Sequence, residues 1–81
     1  MNRIIEHDEL KNMSNEEILE LIKDRGVFLK MFDGTMNEVR IKDIIGTDFN
    51  TAKLIDFVGL SFYCQAIKSI EIISDCPQIT L

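Results

Sequence analysis

The apolar positions of this chain change period partway along, and the change divides it into elements. Between 14 and 25, Ile18, Leu21 and Ile22 recur at spacings of three and four, the stripe of an amphipathic helix. Ser14 followed by Glu17 is a capping box, and Met13 before it can staple onto Ile18. Glu16 and Glu17 fall in the first turn and Lys23 and Arg25 in the last, as the helix dipole favours. Gly26 is placed to end the helix. A helix is therefore expected over about 14–25.

Beyond Gly26 the period falls to two. Val27, Leu29 and Met31 alternate with Phe28, Lys30 and Phe32, and Asp33-Gly34 supplies a tight-turn signal. Val39, Ile41, Asp43 and Ile45 then alternate with Glu38, Arg40, Lys42 and Ile44, which completes a β-hairpin. Gly46-Thr47-Asp48-Phe49-Asn50 has the composition of a loop.

The stretch from 51 to 68 reads two ways. As a helix it would be apolar nearly all round, with Gly59 mid-helix costing ~1 kcal/mol. As strands it is tidier. Ile55 and Phe57 flank Asp56, Gly59 makes a turn, and Leu60, Phe62, Cys64 and Ala66 alternate with Ser61, Tyr63 and Gln65. A further turn is expected near 67–69. Ile70 and Ile72 alternate around Glu71 in a last strand that Asp75-Cys76-Pro77 ends, with Ile79 and Leu81 as a short extension.

The strand reading gives an N-terminal helix and five short strands, an all-β class whose sheet curls into a strongly bent antiparallel barrel. Residues 1–13 read as a flexible acidic lead-in or a short edge strand, and 14–81 as a single domain. The alternative, with 51–67 helical, is an α+β ferredoxin-like sandwich. A winged helix with 51–58 as its recognition helix is a third arrangement, but Lys53 against Asp56 suits DNA phosphates poorly.

Composition narrows the function classes. With 46% hydrophobic and 28% charged residues, four glycines and one proline, the balance is that of a globular chain. No apolar run approaches the ~20 residues of a membrane span. A net charge of −5 excludes a strongly basic nucleic-acid surface, though not a local basic spot. Cys64 and Cys76 have no metal or redox spacing, and no secretory leader accompanies them. Reduced thiols in a cytoplasmic protein are the expectation. His7 is the only histidine and lies in the acidic lead-in. The carboxylates form no convergent pair, and no glycine-rich phosphate loop is present. Neither an enzyme, a metal site nor a cofactor is expected.

Four segments carry a resemblance to a known family. The expected helix runs into Val27-Phe28-Leu29-Lys30-Met31-Phe32-Asp33-Gly34, and Val39-Arg40-Ile41-Lys42-Asp43-Ile44 lies where a bent second strand would be. Thr47-Asp48-Phe49-Asn50 looks like a loop signature with an aromatic residue. Phe62-Tyr63-Cys64-Gln65-Ala66-Ile67-Lys68-Ser69-Ile70 looks like a second signature, ending in Ala-Ile and a β-branched strand. Over about 14–74 the layout resembles the Sm-like family, with its SH3-type barrel, and within it the Hfq-like bacterial RNA chaperones. The departures are specific. Cys64-Gln65 stands where those chaperones carry Lys-His, Val39 stands where a glycine is usual, and the spacing between Asn50 and Phe62 is off by about two residues. The arginine-rich rim is reduced to Lys23 and Arg25.

The resemblance implies a homo-oligomeric ring that binds single-stranded RNA. It places RNA against Asp48, Phe49, Asn50, Tyr63 and Gln65, with Phe49 as a stacking face worth ~1–3 kcal/mol per base. Lys23 and Arg25, with Arg40, are the candidates for phosphate contact. Edge pairing between copies would run through Leu60, Phe62, Cys64, Ile70 and Ile72, since a long apolar strand edge needs a partner. The competing expectation keeps the small barrel without RNA, as an acidic module that binds another protein or its own copies.

Overall fold

The computed structural model describes residues 3–73. The chain runs β1 (Arg3–Glu6), α1 (His7–Lys11), α2 (Asn15–Ile22), β2 (Gly26–Met31), β3 (Met36–Ile45), β4 (Lys53–Asp56), β5 (Ser61–Tyr63), a 3-10 turn (Cys64–Ala66) and β6 (Ile67–Ile72). The six strands form one antiparallel sheet in the order β1-β6-β2-β3-β4-β5. The sheet is open and does not close into a barrel. The expectations about Asp75-Cys76-Pro77, Ile79 and Leu81 lie outside the described residues.

Local chemistry explains most of these elements. Ser14 Oγ accepts from the Glu17 N–H at 3.1 Å, and Glu17 Oε1 accepts from the Ser14 N–H at 2.9 Å, so the capping box forms in full. Ile18 and Ile22 take the stripe into the core. The helix stops at Ile22, short of the expected end. Asp24 turns the chain with a φ of 62°, and Gly26 begins β2. In the β2–β3 hairpin, Gly34 takes a φ of 95° and Asp33 Oδ1 accepts from the Thr35 N–H at 2.9 Å.

The 51–68 stretch is extended in β4 and β5, so the helix that the ferredoxin-like and winged-helix alternatives need is not there. Two details of the strand reading are corrected. Cys64–Ala66 is a 3-10 turn, and the chain passes straight into β6 with no turn near 67–69. Ile67 and Ile70 both face the core because a bulge opposite Lys30/Met31 absorbs the odd spacing.

The N-terminus takes the second of its two expected forms: β1 is a short edge strand, and residues 3–11 are not a flexible lead-in. Ile5 and Leu10 are fully buried, and β1 pairs along β6 from Arg3↔Ile72 to Glu6↔Ser69. There are six strands where five were expected. As a result β6 is an interior strand, paired with β1 on one side and β2 on the other. The core gathers Ile5, Leu10, Ile18, Ile22, Val27, Leu29, Ile41, Leu54, Ile67 and Ile70 between the helices and the curved sheet.

Candidate functional site

The loop that joins β3 to β4 is built by its own side chains. Gly46 takes a φ of 106°, and a Cβ there would lie 2.6 Å from the Thr51 carbonyl oxygen, so the close approach requires glycine. Asp48 Oδ1 accepts from the Thr51 N–H at 3.0 Å and from Thr51 Oγ1 at 3.2 Å, while its carbonyl accepts from the Ala52 N–H at 2.8 Å. The Asp48 carboxylate is therefore turned back onto the loop and holds its shape.

Phe49 is half-buried against the core, and its ring meets His7 edge-on, with centroids 5.2 Å apart. The other side of His7 meets Phe32 at 4.8 Å, again edge-on. His7 Nδ1 lies 2.9 Å from the Ile67 carbonyl oxygen. A carbonyl only accepts, so Nδ1 donates. These contacts pin the β1–α1 junction to the start of β6. Nothing in the sequence around His7 signals this packing role, which its tertiary neighbours set.

The two signature loops do meet. The Cys64 N–H donates to the Ala52 carbonyl at 3.0 Å, and Gln65 Nε2 donates to Asn50 Oδ1 at 3.4 Å. Beside them Tyr63 pairs with Lys53 across β4–β5, and the Lys53 ammonium sits 4.8 Å from the Tyr63 ring centroid. Lys53 was missed as a site residue because the sequence reading weighed it only against Asp56. Its position opposite Tyr63 follows from strand register.

Lys23 and Arg25 do not join this cluster. Lys23 bridges to Ile41, and Ile41 pairs with Asp56, whereas Ile45 pairs with Lys53. The α2–β2 turn thus sits at the far end of β4 from the loop at 48–50. Arg40 belongs to that far end as well: its Nη2 donates to the Asp24 carbonyl at 3.1 Å and its guanidinium lies over the Phe57 ring at 5.9 Å.

The residues expected between copies also separate. Cys64, Ile70 and Ile72 face the chain's own core, and both edges of β6 are paired within the chain. Burial pushes the Cys64 thiol up to about 11. Phe62 is half-buried, and only Leu60 stands clear, 58% exposed. Leu60 belongs to the β4–β5 hairpin, which is a second candidate surface. Asp56, nearly buried, accepts from the Val58 N–H at 3.0 Å and the Leu60 N–H at 2.8 Å through Oδ1. With Gly59 at a φ of 96°, this forces the tip to present Phe57, Val58 (82% exposed) and Leu60 outward. Among the described residues, β1 and β5 are the strands paired on one side only.

Among the described residues no group of three or more His, Cys, Asp or Glu could hold a metal ion, and no helix is long and apolar enough to cross a membrane. No family model, curated protein or solved structure matches this chain.

Proposed function

We propose that this chain is an acidic, Sm-like small-sheet module that works by assembly with protein through its open strand edges. The observation that carries the reading is the placement of β1. It covers the edge of β6, the strand expected to pair between subunits, and leaves the sheet's open edges at β1 and β5. Beside β5 stands an exposed apolar hairpin tip, a surface that suits protein contact. The net charge of −5 and the separation of Lys23 and Arg25 from the loop at 48–50 weigh against phosphate binding.

Fluorescence anisotropy with A-rich and U-rich RNA tests this. The expectation is no binding at low salt. A Kd below about 1 μM at moderate salt, weakened by Lys53→Gln, would overturn it. That outcome belongs to a second reading, single-stranded RNA binding, which one contact favours. Asn50 and Gln65 present adjacent amides, with the Lys53–Tyr63 pair beside them, a set able to hydrogen-bond and stack on a base.

A further inference from the structure

Resting on the assembly reading, we infer that the partner is an extended segment of a different protein, alternating basic and apolar residues, which adds as a strand to the open edge of β1. One unpaired strand edge has a groove on each face of the sheet beside it, and the two grooves differ in chemistry.

β1 is paired to β6 on one side only. In an antiparallel ladder alternate residues turn their N–H and C=O groups away from the partner strand, so the outer edge of β1 offers main-chain donors and acceptors. Its side chains alternate between faces. Arg3 and Ile5 lie on the helix side, where Ile5 is buried, and Ile4 and Glu6 lie on the outer face. The residues of an added strand must alternate in the same way.

On the helix side is a groove of about 430 Å³ between β1, α1 and α2. Met13 and Leu21 are its apolar lining, and its charged lining is Glu9, Glu17 and Glu20 against Arg3. Arg3 is held by Glu9 at 2.6 Å, and Glu17 Oε1 is engaged in the capping box. Glu20 and the second oxygen of Glu17 leave the groove with an excess of negative charge. A lysine or arginine suits it: the methylenes lie along Met13 and Leu21 while the cationic head meets the carboxylates.

On the outer face is a groove of about 270 Å³. Ile4 and Phe28 flank Glu71 on one rung of the sheet, and Met36 lies across from Lys30 on the next. Ile4 and Met36 are exposed. The charges here balance, Glu6 and Glu71 offsetting Lys30 and Lys68. A charged side chain therefore gains little on this face, whereas an apolar one removes Ile4, Phe28 and Met36 from water. Strand addition thus selects cations on one face and apolar groups on the other.

The chain does not supply such a segment to its own copies. Its basic and apolar alternation, Val39-Arg40-Ile41-Lys42, is already paired within β3, and residues 74–81 contain no lysine or arginine.

The test is titration of the isotope-labelled full chain with a short synthetic peptide alternating arginine and valine, read by amide shifts and by the anisotropy of the labelled peptide. Binding should saturate, with the shifts gathered on 3–6 and 17–21. The same peptide with one central proline keeps its charge but loses a ladder hydrogen bond, and should bind at least about tenfold more weakly. Glu20→Lys, an exposed change that should leave the far-UV spectrum unaltered, should weaken the arginine peptide about fivefold to tenfold. Absence of binding overturns the inference. So does binding indifferent to the proline and to Glu20→Lys, which is charge attraction alone, and so do shifts on 61–63, which place the partner at β5. Each of these leaves the assembly reading standing. A chain that sediments as an oligomer and turns monomeric on Ile4→Lys carries a second copy on this edge, which also overturns the inference. RNA binding in the anisotropy experiment above would instead remove the assembly reading itself.

Discussion

Replacing Ile5 with alanine probes whether the N-terminal strand is part of the folded unit. Ile5 is fully buried on β1, while its neighbour Ile4 faces outward and is 52% exposed. Both lie in the same four-rung pairing with β6, so backbone effects should be nearly equal. Ile5→Ala deletes three buried carbons, at ~0.8 kcal/mol each, or about 2.4 kcal/mol of transfer free energy. The cavity left among core side chains raises this to about 3–4 kcal/mol. Ile4→Ala removes side-chain atoms that are already half in water and should cost under about 1 kcal/mol. Urea unfolding followed by circular dichroism reads the difference. With a slope of about 1–1.5 kcal/mol/M for a chain this small, the Ile5 midpoint should fall by roughly 2–4 M and the Ile4 midpoint by less than about 1 M. A domain of this size has only ~4–12 kcal/mol in hand, so Ile5→Ala should come close to unfolding it. Equal, small shifts for the two variants would mean that β1 is not docked. The covered edge of β6, and the assembly reading built on it, would then fall together.

Asp56→Ala should destabilise the chain by about 2–3 kcal/mol, because it strips the acceptor from the Val58 and Leu60 N–H groups; Asp56→Asn, which keeps an oxygen, should recover part of the loss in the same urea titration. Cys64 should resist alkylation in the native chain at pH 8 and react at once in denaturant. It should also make stability fall in alkali. The folded thiol keeps its proton to about 11 and the unfolded one only to 9.0, so between those values the unfolded chain binds fewer protons and ΔG of unfolding declines as pH rises. A Cys64→Ala chain should show a flatter profile over that window.

Where an element's cause is local, its residues announce it. The Ser14–Glu17 box, the stripe through Ile18 and Ile22, and the Asp33-Gly34 turn each act within a few positions, and each forms as the pattern indicates. The extended character of 53–56 and 61–63 was likewise legible, because a helix there would have carried apolar residues all round and Gly59 within it.

What escaped the linear pattern depends on contacts across long separations. Arg3-Ile4-Ile5-Glu6 is so short that its sequence suits a loose lead-in as well as an edge strand, and Ile5 becomes a core residue only because β6, more than sixty positions later, lies beside it. His7 is set by Phe32, Phe49 and the Ile67 carbonyl, none of them near it in the chain. The placement of the cations depends on register too: the pairing of β3 with β4 sets Lys23 and Arg25 at the opposite end of β4 from the loop at 48–50. Composition and period thus dictate which segments coil, extend or turn, since those choices are made between near neighbours. Which strand ends up at an edge, and which charged groups share a surface, is decided by register and packing, where a shift of a few residues moves a side chain from one end of the sheet to the other.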